Sequence, residues 1–301
     1  MSTIDVARPE LFALPLVGRA GLGNALFPWA RAELFARRFG ARVLAPRWGN
    51  FRLGPHLRRE PDKRQYADLF RAGHHTTGCR RLIVAALGRR VPEHELDTVR
   101  AAPRSLQPSV VEFRGMADLF APLVGEGPFI RHQLWHMTRR ALRSSDSPYG
   151  GRFIAMHVRR GDITRQGFTE EQLAGVNQYT ALSWFVGMVR AVRNEQALRR
   201  VPIVVFTDGG DDEVADLIRL GDVRLHPRQS AITDLWELAH ASVLFASGFS
   251  TFSMWASYLG GMPTIYAPGK LQQRVQPGGL ASVEIELPEH APIPPEAIAR
   301  F

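Results

Sequence analysis

The chain is 301 residues long, 45% hydrophobic and 22% charged, with a formal net charge of +9 and one cysteine, Cys79. That length suffices for two domains with full cores, and the composition excludes a disordered or disulfide-built chain. No stretch of about 18 uninterrupted apolar residues occurs, which argues against a spanning helix.

The charge is unevenly placed. Residues 1–150 hold 24 Lys and Arg against 13 Asp and Glu, net +11, whereas residues 151–301 hold 14 against 16, net −2. A basic half suits a phosphorylated substrate or an anionic membrane face. The arginines are scattered and accompany no nucleic-acid-binding motif, so nucleic acid is not an expected partner. Met1 to Glu10 carries Asp5 and Glu10 and no apolar core of signal-peptide type. A cytoplasmic location is expected, extending to peripheral contact with the inner face of the membrane.

In chain order, Leu11 to Val17 is an apolar run interrupted by Pro15. Gly18 to Asn24 is a Gly-rich turn, a helix is expected from Ala25 to Phe39, and Ala41 to Ala45 reads as a strand. Strand, turn, helix and strand make one βαβ unit. Gly21 and Gly23 lack the third glycine of a dinucleotide site, and Asn24 has the character of a helix cap. Residues 46–110 are poorly patterned: Tyr66 to Ala72 and Arg81 to Leu87 suit short helices or strands, and Ser109 to Phe113 suits a strand. A helix is expected over Phe129 to Arg143. His132 and His136 sit four apart on it at a zinc-compatible spacing, but no third ligand accompanies them, so no metal is expected.

Ser144 to Gly151 reads as a linker, which places domains at 1–148 and 149–301. Beyond it the pattern alternates. Strands are expected at 153–158, 201–206, 223–225, 242–246 and 263–266, with helices at 178–193, 212–220, 232–240 and from the 247–253 cluster to Leu259. A short helix is expected near Pro295 to Arg300. The alternation predicts an α/β fold with a doubly wound parallel sheet in the C-terminal domain.

Three polar clusters each follow a strand: His157 to Asp162, Thr207-Asp208, and Ser247 to Ser253. Open α/β sheets bind ligands outside the carboxyl ends of their strands. Arg159 and Arg160 offer two planar, permanently charged forks suited to phosphate. The hydroxyl-rich segment at Ser250 opens a helix, and helix N-termini attract anions. Together these features point to a bound nucleotide diphosphate.

With these residues in view, the chain resembles the fucosyltransferase superfamily, and most closely the bacterial α-1,2-fucosyltransferases. The resemblance rests on Ala20-Gly21-Leu22-Gly23-Asn24-Ala25-Leu26-Phe27, on His157 to Asp162, on Phe206-Thr207-Asp208-Gly209, on Asp234-Leu235 and on Gly248 to Trp255. It implies a GT-B type fold with two Rossmann-like domains facing a cleft, the N-terminal one on the acceptor side. GDP-fucose would be the donor, a glycan the acceptor, and no metal or other cofactor would be required. By the same resemblance Arg159 grips the donor β-phosphate, His157 and Asp234 lie near guanine, and Ser250, Thr251 and Phe252 lie at the phosphates. Asp208 matches a motif position at the donor. Gly23 and Asn24 would face the cleft from the other domain.

The expected reaction is inverting transfer of fucose from GDP-β-L-fucose, in α-1,2 linkage, to an acceptor hydroxyl. Asp162 is the candidate general base, with Glu170 and Glu171 as rivals; Asp162 equally suits orienting an arginine. Ala25, Gly209, Gly248, Thr251 and Met254 depart from the family pattern. They keep open a transferase of another GDP-sugar and a silent GDP-binding protein. Nothing in the sequence specifies the acceptor or the oligomeric state.

Overall fold

The computed structural model describes residues 10–18, 20–49, 66–95, 107–147, 149–164, 172–173, 175–278 and 283–301. The chain divides into two compact units, Met1–Ala141 and Leu142–Phe301. The division falls seven residues before the expected 148/149 boundary. Carbonyl groups just before and at the start of the expected linker are held by the second unit: Leu142 accepts from the Thr233 hydroxyl at 3.3 Å, and Ser144 O lies 2.9 Å from His240 Nε2.

The first unit is built on a four-stranded, all-parallel sheet in the order β2-β1-β4-β3. The strands are β1 (Leu11–Leu16), β2 (Arg42–Val43), β3 (Arg89–Pro92) and β4 (Ser109–Arg114). Helix α1 (Leu22–Phe39) begins earlier than expected and buries Leu26, Phe27, Trp29, Ala30 and Phe35. It ends at Gly40, whose φ of 64° supplies the left-handed turn that glycine tolerates best. Helix α2 (Gly78–Leu87) precedes β3, and α3 (Gly127–Met137) follows β4. Helix α3 stops before the expected Arg143 because Thr138 leaves the helix to bridge Phe70, and Arg139 N–H donates to Leu69 O at 3.0 Å.

The second unit carries a six-stranded, all-parallel sheet in the order β10-β9-β8-β5-β6-β7. Its strands are β5 (Ile154–Val158), β6 (Ile203–Thr207), β7 (Val223–Leu225), β8 (Val243–Ala246), β9 (Thr264–Tyr266) and β10 (Glu284–Glu286). Helices α4 (Leu182–Asn194), α5 (Ala231–Leu238) and α6 (Thr251–Gly260) connect them. The expected helix at 212–220 is a 3₁₀ turn, Asp212–Val214, followed by one α turn, Ala215–Ile218.

The topology fixes where a ligand belongs. From central β5 the chain runs outward through β6 and β7, then returns to β5's other side and runs out through β8, β9 and β10. The reversal between β5 and β8 is a topological switch point, where a crevice opens at the strands' carboxyl ends. Every residue of β5 and β8 is buried. Met156, Phe245, Phe185, Val189 and Ile265 belong to the core cluster around these strands. Burying each such side chain contributes about 1.5–3 kcal/mol, which makes β5 and β8 a rigid base for the polar residues at their ends.

Candidate functional site

Strand β5 runs in register with Phe206 and Ala246 at His157, so its carboxyl end is clamped on both sides. Thr207 donates its hydroxyl to Val158 O at 2.7 Å, and Asp208 Oδ1 accepts from Arg160 N–H at 2.7 Å. Asp208 is thus placed as the shaper of the β5 exit. Across the switch point, Ser247 Oγ accepts from Arg159 N–H at 2.9 Å.

The two arginines separate. Arg160 is 3% exposed. Its Nη1 donates to Arg159 O at 3.0 Å and Thr180 O at 3.1 Å, and its guanidinium lies 4.8 Å from the centroid of the Tyr179 ring. The expectation of two phosphate-facing forks is therefore corrected: Arg160 turns inward to build the loop. Arg159 stands half-buried at the switch point.

The β8–α6 segment completes this edge. Ser250 is fully buried and caps α6, its Oγ accepting from Ser253 N–H at 3.4 Å. Gly248 N–H donates to Thr180 Oγ1 at 3.0 Å, and a side chain there would meet Lys270 Cβ at 2.6 Å. Lys270 donates to Val176 O at 3.2 Å and Asn177 O at 3.3 Å. Phe249 has a φ of 50°, a conformation that is rare for an aromatic residue and costs of order 1–3 kcal/mol. Thr251 and Phe252 occupy the first turn of α6 and are half-buried, placing first-turn amide groups beside the segment that bonds Arg159.

His157 lies beneath this segment. Its Nδ1 is 2.6 Å from Ser253 Oγ, and its ring is 5.3 Å from Phe252. Burial, and secondarily the charge of Arg159, push the imidazole down to about 3, so it is neutral at ordinary pH.

Asp234 sits in the first turn of α5 with different partners from those of His157. Its Oδ1 is 3.0 Å from His226 Nε2, and Glu237 Oε2 is 3.4 Å from the same nitrogen. The His226 ring stacks on Phe206 at 4.1 Å, and its Nδ1 contacts the Tyr149 hydroxyl. Gln229 donates to both Glu237 oxygens, at 3.2 and 3.1 Å. Burial, then the charges of Glu237 and Asp234, raise the Tyr149 phenol above its ordinary value. Sequence reasoning missed His226, Glu237 and Tyr149. The available signals were a histidine directly after β7 and a glutamate one helical turn beyond Asp234.

In the first unit, Gly23 is buried and Asn24 half-buried in the first turn of α1. Asn24 is not the cap: that position is Gly21, which has no side chain with which to cap the helix. Asp162 falls in the single turn Gly161–Thr164. Its side chain, and all of Glu170 and Glu171, lie outside the described residues.

His132 and His136 face each other at 4.3 Å on α3. Among the described residues, the one group of three side chains spaced to hold a metal is Glu33, His74 and His75. Glu33 is 2% exposed, 2.6 Å from His75 Nε2 and 3.2 Å from His74 Nε2. Burial raises the Glu33 carboxyl, but the two imidazoles outweigh it and leave the group below its usual value. His74 is raised, chiefly by its bond to Glu33.

The sequence matches no protein-family model and no curated protein. Solved structures do resemble it. A crystal structure of NodZ α-1,6-fucosyltransferase soaked with GDP-fucose gives a TM-score of 0.55 at 18% identity, over 86% of this chain and 96% of that one. NodZ from Bradyrhizobium gives 0.54 at 16% identity, over 85% and 94% of the two chains. POFUT1 in complex with GDP gives 0.52 at 12% identity, over 94% and 99%. At these identities the likeness is one of fold: the chain has the α/β architecture of parallel-sheet Rossmann-like units, GT-B in type, that these fucosyltransferases carry.

Proposed function

We propose that this protein is an inverting fucosyltransferase that moves fucose from GDP-β-L-fucose to a hydroxyl of a glycan acceptor. The observation that carries the reading is the meeting of Arg159 and the β8–α6 segment at the switch point, where Ser247 Oγ holds Arg159 N–H at 2.9 Å. The fold shared with structures described as holding GDP or GDP-fucose supports it. The motif resemblance supports placement in the fucosyltransferase superfamily and an α-1,2 linkage; NodZ, of the same fold, is named an α-1,6 enzyme, so product linkage is the point to test.

In this reading the acceptor oxygen attacks C1 of fucose and the C1–O bond to the β-phosphate breaks. GDP leaves with the bonding pair. Arg159 and the first-turn amides of α6 stabilise the charge that grows on the phosphate, which is where preorganised donors act most strongly. The proposal assigns that charge to Arg159 and the helix rather than to a metal. The acceptor proton passes to a carboxylate, for which Asp162 is proposed. His157 is not that base: an imidazole pushed down to about 3 is a poor proton acceptor at neutral pH. It supports Ser253 and Phe252 instead. Asp234, held by His226, would read the paired N–H donors of guanine, with Asp208 shaping the loop and Ser250, Thr251 and Phe252 at the phosphates. Gly23 and Asn24 are assigned to the acceptor-side unit.

The test is calorimetric titration of GDP, GDP-fucose and GDP-mannose into wild type and Arg159→Ala without added metal. GDP and GDP-fucose binding that collapses in the variant supports the donor site. A folded wild type that binds neither overturns it. Binding without transfer to any glycan in an acceptor screen favours a silent GDP-binding protein, and turnover of GDP-mannose favours another GDP-sugar.

A further inference from the structure

Helix α2 does not behave like the other helices of its unit. Of its ten residues only Val84 is buried. Leu82, Ile83 and Leu87 are 55%, 57% and 67% exposed, above every other exposed large hydrophobic among the described residues. Cys79, Ile83 and Leu87 repeat every four residues, as do Leu82 and Ala86, and all five are exposed. Residues four apart share a helix face, so these side chains form one continuous apolar stripe.

The surroundings of the stripe are cationic. Residues 69–92 contain five arginines, two histidines and no acidic residue. Arg47 and Arg90 act on Arg81: burial first, then their charges, hold its guanidinium below the ordinary value. Glu10 pairs with Arg80, and Glu112 pairs with Arg90. Arg47, Arg81 and Arg89 have no carboxylate partner among the described residues. Like charges crowded beside exposed leucine and isoleucine disfavour pairing of this face with a second copy of itself. They also give no reason for a nucleic acid, which would leave the apolar stripe in water.

We propose that the exposed face of α2, formed by Leu82, Ile83, Ala86 and Leu87, docks on a bilayer carrying anionic headgroups, with Arg81 and its neighbour Arg47 and the exposed Arg89, two residues beyond Leu87, supplying the positive charge. Apolar side chains enter the boundary between headgroups and acyl chains while the guanidinium groups stay at the phosphates, as amphipathic basic helices do. The inference is independent of the donor chemistry. It would bring a transferase to acceptors at a membrane surface.

The experiment is flotation of the full chain with vesicles of phosphatidylglycerol and phosphatidylcholine, and with phosphatidylcholine alone. Two variants accompany wild type: Leu82→Ser/Ile83→Ser/Leu87→Ser and Arg47→Glu/Arg89→Glu. GDP calorimetry and thermal unfolding of each report folding and donor binding separately, so loss of one reading does not mimic loss of the other. Wild type should float with the anionic vesicles, much less with the neutral ones, and each variant should lose binding more than tenfold with unchanged unfolding. A wild type that does not float with anionic vesicles overturns the proposal. So does a triple serine variant that floats as well as wild type, since adsorption would then be electrostatic only. A wild type that dimerises through the stripe, with the triple variant monomeric and neither floating, also overturns it and assigns the face to self-association.

Discussion

Asp208 Oδ1 accepts the backbone N–H of Arg160 at 2.7 Å, so a carboxylate at the end of β6 shapes the end of β5. The same carboxylate stands where a Cβ on Gly161 would sit, and Gly161 has a φ of 31°. The motif glycine is therefore required by both close approach and backbone conformation. Gly161→Ala should destabilise the second unit by about 1–3 kcal/mol in urea unfolding and weaken GDP binding. An unchanged midpoint and affinity would show that the loop does not depend on this contact.

The neighbouring arginines should fail differently. Arg159→Ala should abolish GDP binding with little change in unfolding. Arg160→Ala removes a buried hydrogen bond to Thr180 O, a part-buried one to Arg159 O and a cation–π contact with Tyr179. It should cost about 1.5–3 kcal/mol of stability, with GDP affinity falling as a consequence. If Arg160→Ala is as stable as wild type while losing GDP, the inward assignment of Arg160 is wrong.

Buried His157 makes the second unit sensitive to acid. Its folded value of about 3 lies below the ordinary imidazole value, so below about pH 6.5 the unfolded chain takes up a proton that the native state refuses. The stability is fully present above that pH and falls as pH drops toward 3, by up to about 1.4 kcal/mol per pH unit. His157→Gln should flatten this slope in unfolding measured from pH 7 to pH 4. Parallel slopes would mean that the imidazole protonates in the native state.

In the first unit, Glu33 and His74 bracket a stability window. The lowered Glu33 contributes stability that is present above its usual carboxyl value and lost as pH falls through its folded one. The raised His74 contributes stability present below its usual imidazole value and lost as pH rises through its folded one. His75→Ala strips the buried carboxylate of its 2.6 Å partner and should cost about 3 kcal/mol. Thermal unfolding across pH 4 to 9 checks both limbs, and Glu33→Gln should remove them.

The Asp234 cluster should govern base selectivity. Asp234→Asn should reduce discrimination between GDP and IDP, which lacks the exocyclic amine, by about tenfold, or 1.4 kcal/mol. His226→Phe retains an aromatic ring against Phe206 but frees Asp234 from its 3.0 Å restraint. It should raise the GDP-fucose KM more than it lowers kcat. Equal loss of kcat and kcat/KM would instead place His226 among groups acting in the transition state.

Sequence pattern alone determined the central strands of the second unit and the polar residues at their ends. Strands β5, β6 and β8 are apolar runs because parallel strands in mid-sheet are covered on both faces, a property written in consecutive residues. The Gly-rich turn, the α1 segment and the clusters after β5, β6 and β8 were legible too, because turn residues and helical spacing are local in the chain. The edge strands β3 and β10 were not: Arg89 and Arg90 leave β3 without an apolar run, and the alternation from Val283 to Leu287 around β10 is brief and set in a Pro- and Gly-rich tail. The early end of α3 was also hidden, because Phe70, the partner that draws Thr138 out of the helix, is far away in sequence.

Only the tertiary structure decided which polar side chains face which way. Two consecutive arginines look equivalent in a sequence, yet the Thr180 carbonyl and the Tyr179 ring draw Arg160 inward. Tyr149 meets His226 across 77 residues, and His75 meets Glu33 across 42. The local chain sets which residues share a strand or helix face. The partners of buried polar groups are set by packing between distant elements, where each desolvated donor or acceptor must find its bond.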